Sequence, residues 1–133
     1  MNGLGPLRHT LKLLAEPEES IRESAVALQA LQRDDGSWSQ MAEMSGDAYA
    51  TGTALFALHQ SGHLNASDEA YQRGLHYLLK TQLADGSWHV VSRSKPFQKY
   101  FETGFPHGKD QFISSAATAW ATTALLLAVE KGE

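Results

Sequence analysis

The chain has no cysteine among its 133 residues. That absence excludes disulfides, thiolate nucleophiles and every zinc site built with a cysteine ligand. Charge of one sign is also scarce. Eleven Lys and Arg stand against fifteen Asp and Glu, a net charge of −4, and the basic residues are dispersed along the chain. Nucleic acid is therefore not an expected partner, because a phosphate backbone is met by a clustered basic surface. Long hydrophobic runs are few. Met1 to Glu16 is interrupted by Gly3, Gly5, Pro6, Arg8, His9 and Lys12, which leaves no apolar core for a signal peptide. The longest apolar and small-residue run, Ala116 to Val129, contains three threonines and is shorter than the roughly 20 residues that span a bilayer. These absences predict a soluble protein, cytoplasmic by default, with no membrane span.

What is present fits one domain over residues 1–133, with 42% hydrophobic and 20% charged residues. A chain of this length buries roughly two-thirds of the surface it exposes when unfolded. Neither a metal nor a cofactor is needed to fold it, and none is expected.

An internal repeat is the most informative feature. Gln32-Arg33-Asp34-Asp35-Gly36-Ser37-Trp38 recurs fifty positions later as Gln82-Leu83-Ala84-Asp85-Gly86-Ser87-Trp88, with five of seven positions identical. Ala27-Leu28 precedes the first copy as Tyr77-Leu78 precedes the second, and Thr53-Ala54-Leu55 follows the first as Thr123-Ala124-Leu125 follows the second. Each unit reads as helix, DGSW turn, helix, the first over about 18–62 and the second over about 67–131. Pro17 with Glu18 and Glu19 makes a favourable first helical turn, after which Ile21, Ala25 and Leu28 recur at helical spacing. Ser67 before Asp68 and Glu69 is the expected cap of the corresponding helix in the second unit, whose apolar stripe is Leu75, Leu78 and Leu79. The second helices, Ala48 to His59 and Ser114 to Val129, are apolar all round, the composition of helices buried on every face. Gly62 and Gly132 are placed to end them. A short helix near Leu7 to Leu14, assigned to a preceding hairpin, brings the expectation to an all-α chain of about two and a half helical hairpins.

Asp-Gly suits a helix end where the backbone enters the left-handed region. Gln32 and Gln82 are placed to bond the helix-end carbonyls, and Trp38 and Trp88 to cover the adjoining helix end. The expected role of Gln32, Gly36, Trp38, Gln82, Gly86 and Trp88 is structural.

The run Arg73-Gly74-Leu75-His76-Tyr77-Leu78-Leu79-Lys80-Thr81-Gln82-Leu83-Ala84-Asp85-Gly86-Ser87-Trp88 resembles the QW motif of squalene and hopene cyclases and related repeat proteins. Residues 23–38 are a degenerate copy with Glu23-Ser24 where Arg73-Gly74 stand. The resemblance covers most of residues 18–131 and implies an (α/α) toroid of alternating outer and inner helices, of which this chain matches a carboxyl-terminal part. It implies no complete active site. Class II terpenoid cyclases begin with an Asp-x-Asp-Asp acid that is absent here, and the nearest acidic pair, Asp34-Asp35, belongs to the turn. Protein prenyltransferases and thioester-containing relatives need a cysteine. Two complete hairpins are also fewer than a closed ring uses, and an open arc leaves apolar helix faces in water. Three arrangements answer this: a longer polypeptide, several chains building one ring, or a compact bundle.

The second unit carries extra chain. Fourteen residues separate Trp38 from Thr53 and thirty-four separate Trp88 from Thr123, an insertion of about twenty residues over roughly 90–110. Its aromatic residues Phe97, Tyr100, Phe101 and Phe105 are too many for a solvated linker. They predict either a lid meeting an apolar or cationic ligand, with Glu102, His107 and Asp110 as polar contacts, or a loop that packs on helix ends. His107 and Asp110 alone do not make a metal site, with no further histidine near them in sequence, and no histidine is paired with a serine in a nucleophile-elbow context.

The leading expectation is a non-catalytic, squalene-cyclase-like repeat module that binds an apolar ligand, such as an isoprenoid, or a protein partner, as part of a larger or self-associated toroid. The alternative is a cyclase-like isomerase whose protonating acid lies outside this chain or is supplied by Asp47 or Asp110. A polysaccharide-acting enzyme on the same toroid finds no paired acidic constellation.

Overall fold

The computed structural model describes residues 5–92 and 103–131. It is all-α. Four helices follow in chain order, α1 (Gly5–Ala30), α2 (Ala48–Gln60), α3 (Glu69–Thr81) and α4 (Gln111–Lys131), with a single turn of 3-10 helix at Gly108–Asp110 leading into α4. Among the described residues there is no strand, and Trp38 and Asp47 form the one isolated bridge.

The expected short helix near Leu7 to Leu14 and the helix start at Pro17 are both corrected, because α1 runs unbroken through Pro17. Proline holds a helical φ, and α1 carries it at the cost of one backbone donor and the crowding of its ring against the carbonyl four residues earlier, about 3 kcal/mol. The described helices therefore form two hairpins, α1/α2 and α3/α4, and the expected half hairpin is the beginning of α1.

Helix α2 starts where Asp47, in extended backbone, accepts a 2.7 Å bond from the Ala50 N–H. That satisfies one of the donors a helix start leaves orphaned. Gly62 ends it in the left-handed region at φ +77°, as its sequence position predicts. The cap of α3 differs from expectation. Asp68, not Ser67, is the N-cap residue, and its carboxylate turns back to accept from the Asn65 N–H at 2.8 Å.

Helices α2 and α4 pack face to face at the centre. A Cβ at Gly52 would stand 2.8 Å from the Ala121 nitrogen, so the two backbones nearly touch there. Phe56 and Trp120 flank this crossing with ring centroids 5.1 Å apart. Helix α3 is amphipathic. Its buried side carries Tyr71, Gly74, Leu75 and Leu78, while Arg73, His76 and Lys80 face solvent. Leu55, Leu58 and Leu78 are fully buried in the shared core, each stabilising by about 1.5–3 kcal/mol on area grounds.

One expectation fails for α4. It is buried along Gln111, Ser114, Ala117, Ala121 and Ala124 only, and the opposite side, from Phe112 through Ala119 to Leu126 and Val129, is exposed. The apolar composition is real, but α2, α3 and the chain around Trp88 and Val90 cover one side of it only. The stretch Gly108–Val129 is also long and apolar enough to cross a membrane by length and composition, with 22% of its eighteen-residue apolar portion buried. It exceeds the Ala116–Val129 run at the amino-terminal end.

Candidate functional site

The two DGSW turns are built alike to the atom. Gly36 and Gly86 take φ of +89° and +88°, which an L side chain rarely adopts. Asp35 Oδ1 accepts from the N–H and hydroxyl of Ser37 at 3.0 and 2.5 Å, and Asp85 Oδ1 from those of Ser87 at 2.9 and 2.6 Å. Burial pushes the Asp35 carboxyl up, yet the Ser37 hydroxyl and N–H, with the Arg33 and Lys80 charges, together leave it below the usual carboxylate value. Asp85 is lowered by the same two donors from Ser87. Trp38 Nε1 donates to the Leu28 carbonyl at 2.7 Å and Trp88 Nε1 to that of Leu78 at 2.8 Å. The helix-end carbonyls are thus met by tryptophan. Gln32 and Gln82 instead donate to the glycine carbonyls of the turns, at 3.0 and 2.9 Å, which corrects the role expected of the glutamines.

The tryptophan backbones fix the register of the second helices. The Trp38 N–H donates to Thr51 Oγ1, thirteen residues on, and the Trp88 N–H donates to Thr118 Oγ1, thirty residues on. Thr51 therefore corresponds to Thr118, rather than Thr53 to Thr123, and the insertion is 30 − 13 = 17 residues. Alanine-rich helices look alike at several offsets, and only the hydrogen bond selects one.

Of the predicted loop residues, Phe97, Tyr100, Phe101 and Glu102 lie outside the described residues. Phe105, His107 and Asp110 are brought together, and His89 joins them. His89 and His107 stack with centroids 4.5 Å apart and planes 8° apart, and Phe105 meets His107 edge-on at 6.4 Å. His89 Nε2 lies 2.7 Å from Asp110 Oδ2, and the Ser92 N–H donates to Asp110 Oδ1 at 2.8 Å. These bonds from His89 and Ser92 hold the buried Asp110 carboxyl below its usual range. His107 is the one described non-glycine residue with positive φ, at 87°. Gly108 follows it, also at positive φ, so the loop turns sharply onto α4.

His107 Nε2 also stands 2.8 Å from Ser87 Oγ, a serine–histidine pair that sequence spacing did not reveal. It is not a nucleophile with its base. The Ser87 hydroxyl donates to Asp85 as Ser37 does to Asp35 in the first turn, where no histidine is present. The bond is therefore filled by a His107 N–H donating to the serine oxygen. Both serines are buried. Nor do the histidines converge on a point, since the lone pairs of stacked rings lie in parallel planes. Among the described residues no group of three His, Asp or Glu is arranged to hold a metal. The signal that could have found His89 is its place directly after Trp88: whatever closes over the second turn must pass beside it.

The other open feature is a groove of about 280 Å³ between α1 and α2, lined by Ile21, Ser24, Ala25 and Leu28 on one side and Ala57, Leu58 and Ser61 on the other. It is mostly apolar. A larger groove rimmed by charged residues runs between the first turn and α3, where the Arg73 guanidinium donates to the carbonyls of Arg33 and Asp34, both at 3.1 Å. No family model matches the chain, and no solved structure matches it.

Proposed function

We propose that this chain is a non-catalytic helical-hairpin repeat module, of the squalene-cyclase-like toroid kind, that binds an apolar partner through the open ends of its helical stack. The observation that carries this reading is the uncovered side of α4, where Phe112, Leu126 and Val129 are each more than half exposed. Repeat stacks that stop at a given hairpin finish it with a polar outer face. Large apolar side chains exposed along one face of a helix in this way mark an interaction surface.

Asp110 and Asp47 weigh against the form of the isomerase alternative in which one of them supplies the proton; an acid from outside the chain is a separate case. A protonating acid must hold its proton, which requires a raised pKa. Asp110 is lowered by its His89 and Ser92 bonds. Asp47 is engaged as the cap of α2 and accepts a 2.7 Å bond from Gln40 as well.

The test is uptake of the apolar dye anilinonaphthalene sulfonate by the folded chain, at dilutions where its mass is that of a monomer. Leu126→Glu and Ile21→Glu should each remove part of the uptake, and the pair together nearly all of it, with helicity by circular dichroism unchanged. Uptake that ignores both substitutions would overturn the proposal.

A further inference from the structure

The two units have equivalent positions but unequal company. Outer helices and turns correspond at an offset of fifty, as Trp38 to Trp88, and inner helices at 118 − 51 = 67, as Thr51 to Thr118. Under these offsets the groove walls Ile21 and Ser24 of α1 correspond to Tyr71 and Gly74 of α3, and Ala57 and Ser61 of α2 to Ala124 and Ala128 of α4. Ile21 is 52% exposed, whereas Tyr71 is 0% exposed. The difference is α2. Its Leu55 sits on Gly74, where a Cβ would come within 2.8 Å of Cδ2, and its His59 meets the Tyr71 ring edge-on at 6.0 Å. The groove of the second unit is thus filled by the inner helix of the first, while the groove of the first unit stands open.

Helix α4 carries the matching stripe. The residues that correspond to Gly52, Leu55 and His59 are Ala119, Thr122 and Leu126, and all three are exposed. With Phe112, Ser115 and Val129 they recur at alternating spacings of three and four, the seam that one helix presents to another. We infer that a second copy of this chain is the partner: α4 of one copy enters the α1/α2 groove of the next, as α2 already enters the α3/α4 groove. This rests on the binding role proposed above and names its partner. The contact continues the α2–α4 interface outward and is heterologous, so copies add head to tail until rotation closes a ring. Leu126 then rests on Ile21, and Thr122 over Ser24. Ala119 stands where the first unit has Gly52, so the entering α4 sits further from its neighbour than α2 sits from α4.

Size exclusion with light scattering on the full chain tests this. The expected result is a mass at least twice the 14.5 kDa of one chain, reduced to one chain by Leu126→Glu and equally by Ile21→Glu. Ser24→Arg, at an exposed groove position, repeats the second result if Ile21→Glu loses helicity. Mixing the two monomeric variants should give a 1:1 dimer, because one still has an intact α4 and the other an intact groove. An isologous α4-to-α4 contact would leave Ile21→Glu dimeric and overturns the inference. So does a native chain that is monomeric at every concentration, or one that sediments with neutral phosphatidylcholine vesicles through Leu126 instead of pairing. If such a monomer still takes up the apolar dye and loses it in the variants, the binding role stands and only the second copy is refuted. Unchanged uptake refutes both.

Discussion

Gly52→Ala sets two ordinary effects directly against each other. Gly52 is interior to α2, where replacing glycine by alanine normally stabilises a helix by about 1 kcal/mol. The added Cβ would stand 2.8 Å from the Ala121 nitrogen, 2.8 Å from the Trp120 carbonyl carbon and 2.9 Å from Trp120 Cβ. Comfortable separations are about 3.5–4.0 Å. Two of these three atoms are backbone, so no rotamer change relieves the overlap, and α2 must move off α4. Overpacking costs about 1–3 kcal/mol, and a rigid obstacle places this case at the upper end. Net of the helix gain, the variant should lose about 1–2 kcal/mol, or roughly 4–8 °C in Tm for a domain of this size. Gly74→Ala is the comparison. The three atoms nearest its Cβ are Leu55 Cδ2, Cδ1 and Cγ, at 2.8, 2.9 and 3.2 Å, all in one side chain that can turn. That variant should lose less, and Leu55→Val added to it should show favourable coupling in a double-mutant cycle. Urea and thermal unfolding read both. A rise in Tm for Gly52→Ala would show that helix propensity governs alone and that α2 does not meet α4 at this point.

Trp88→Ala should cost about 3–5 kcal/mol, since the ring is buried and leaves a cavity. Trp88→Phe keeps most of the volume and loses the bond to Leu78, whose carbonyl still accepts from the Gln82 N–H at 3.0 Å. About 1 kcal/mol is expected there beyond the ring's smaller size, and equal losses by chemical denaturation for the two variants would refute the assigned fit. Gly86→Ala should cost about 1–2 kcal/mol for its left-handed backbone. Gly36→Ala should cost more, because its Cβ would also collide with the Arg73 carbonyl, so equal Tm values would contradict that close approach. Asp85 and Asp110 lie below the ordinary carboxylate value of 3.8 in the folded chain. Their contribution is present above that value and is lost as pH falls through the lower folded values, so urea midpoints should drop steeply below about pH 4. Asp110→Asn should flatten that drop, and an unchanged slope would remove Asp110 from the account.

Much of the local structure was legible because it is written in short range. An Asp-Gly pair repeated at fifty residues, each with glutamine before and tryptophan after, predicts left-handed glycines, and Gly36 and Gly86 adopt them. The start of α2 at Ala48 and its end before Gly62 follow from composition and termination signals in the same way. The histidine cluster was half legible. His107 and Asp110 were singled out by their loop, but His89 is twenty-one residues from Asp110, and its bond forms only once the loop closes back to the turn that leads into α4.

The sequence by itself determined that the chain is helical, that it contains one unit twice, and that its tryptophans and glycines build the turns, because those features depend on neighbours a few residues away. Only the tertiary structure decided that Pro17 is carried inside α1, that Thr51 matches Thr118, and that tryptophan rather than glutamine meets the helix ends. It also decided which side of α4 is covered. An all-apolar helix has no preferred face of its own, so burial falls where a neighbour stands, and α2 and α3 cover one side and leave Leu126 and Val129 open on the other.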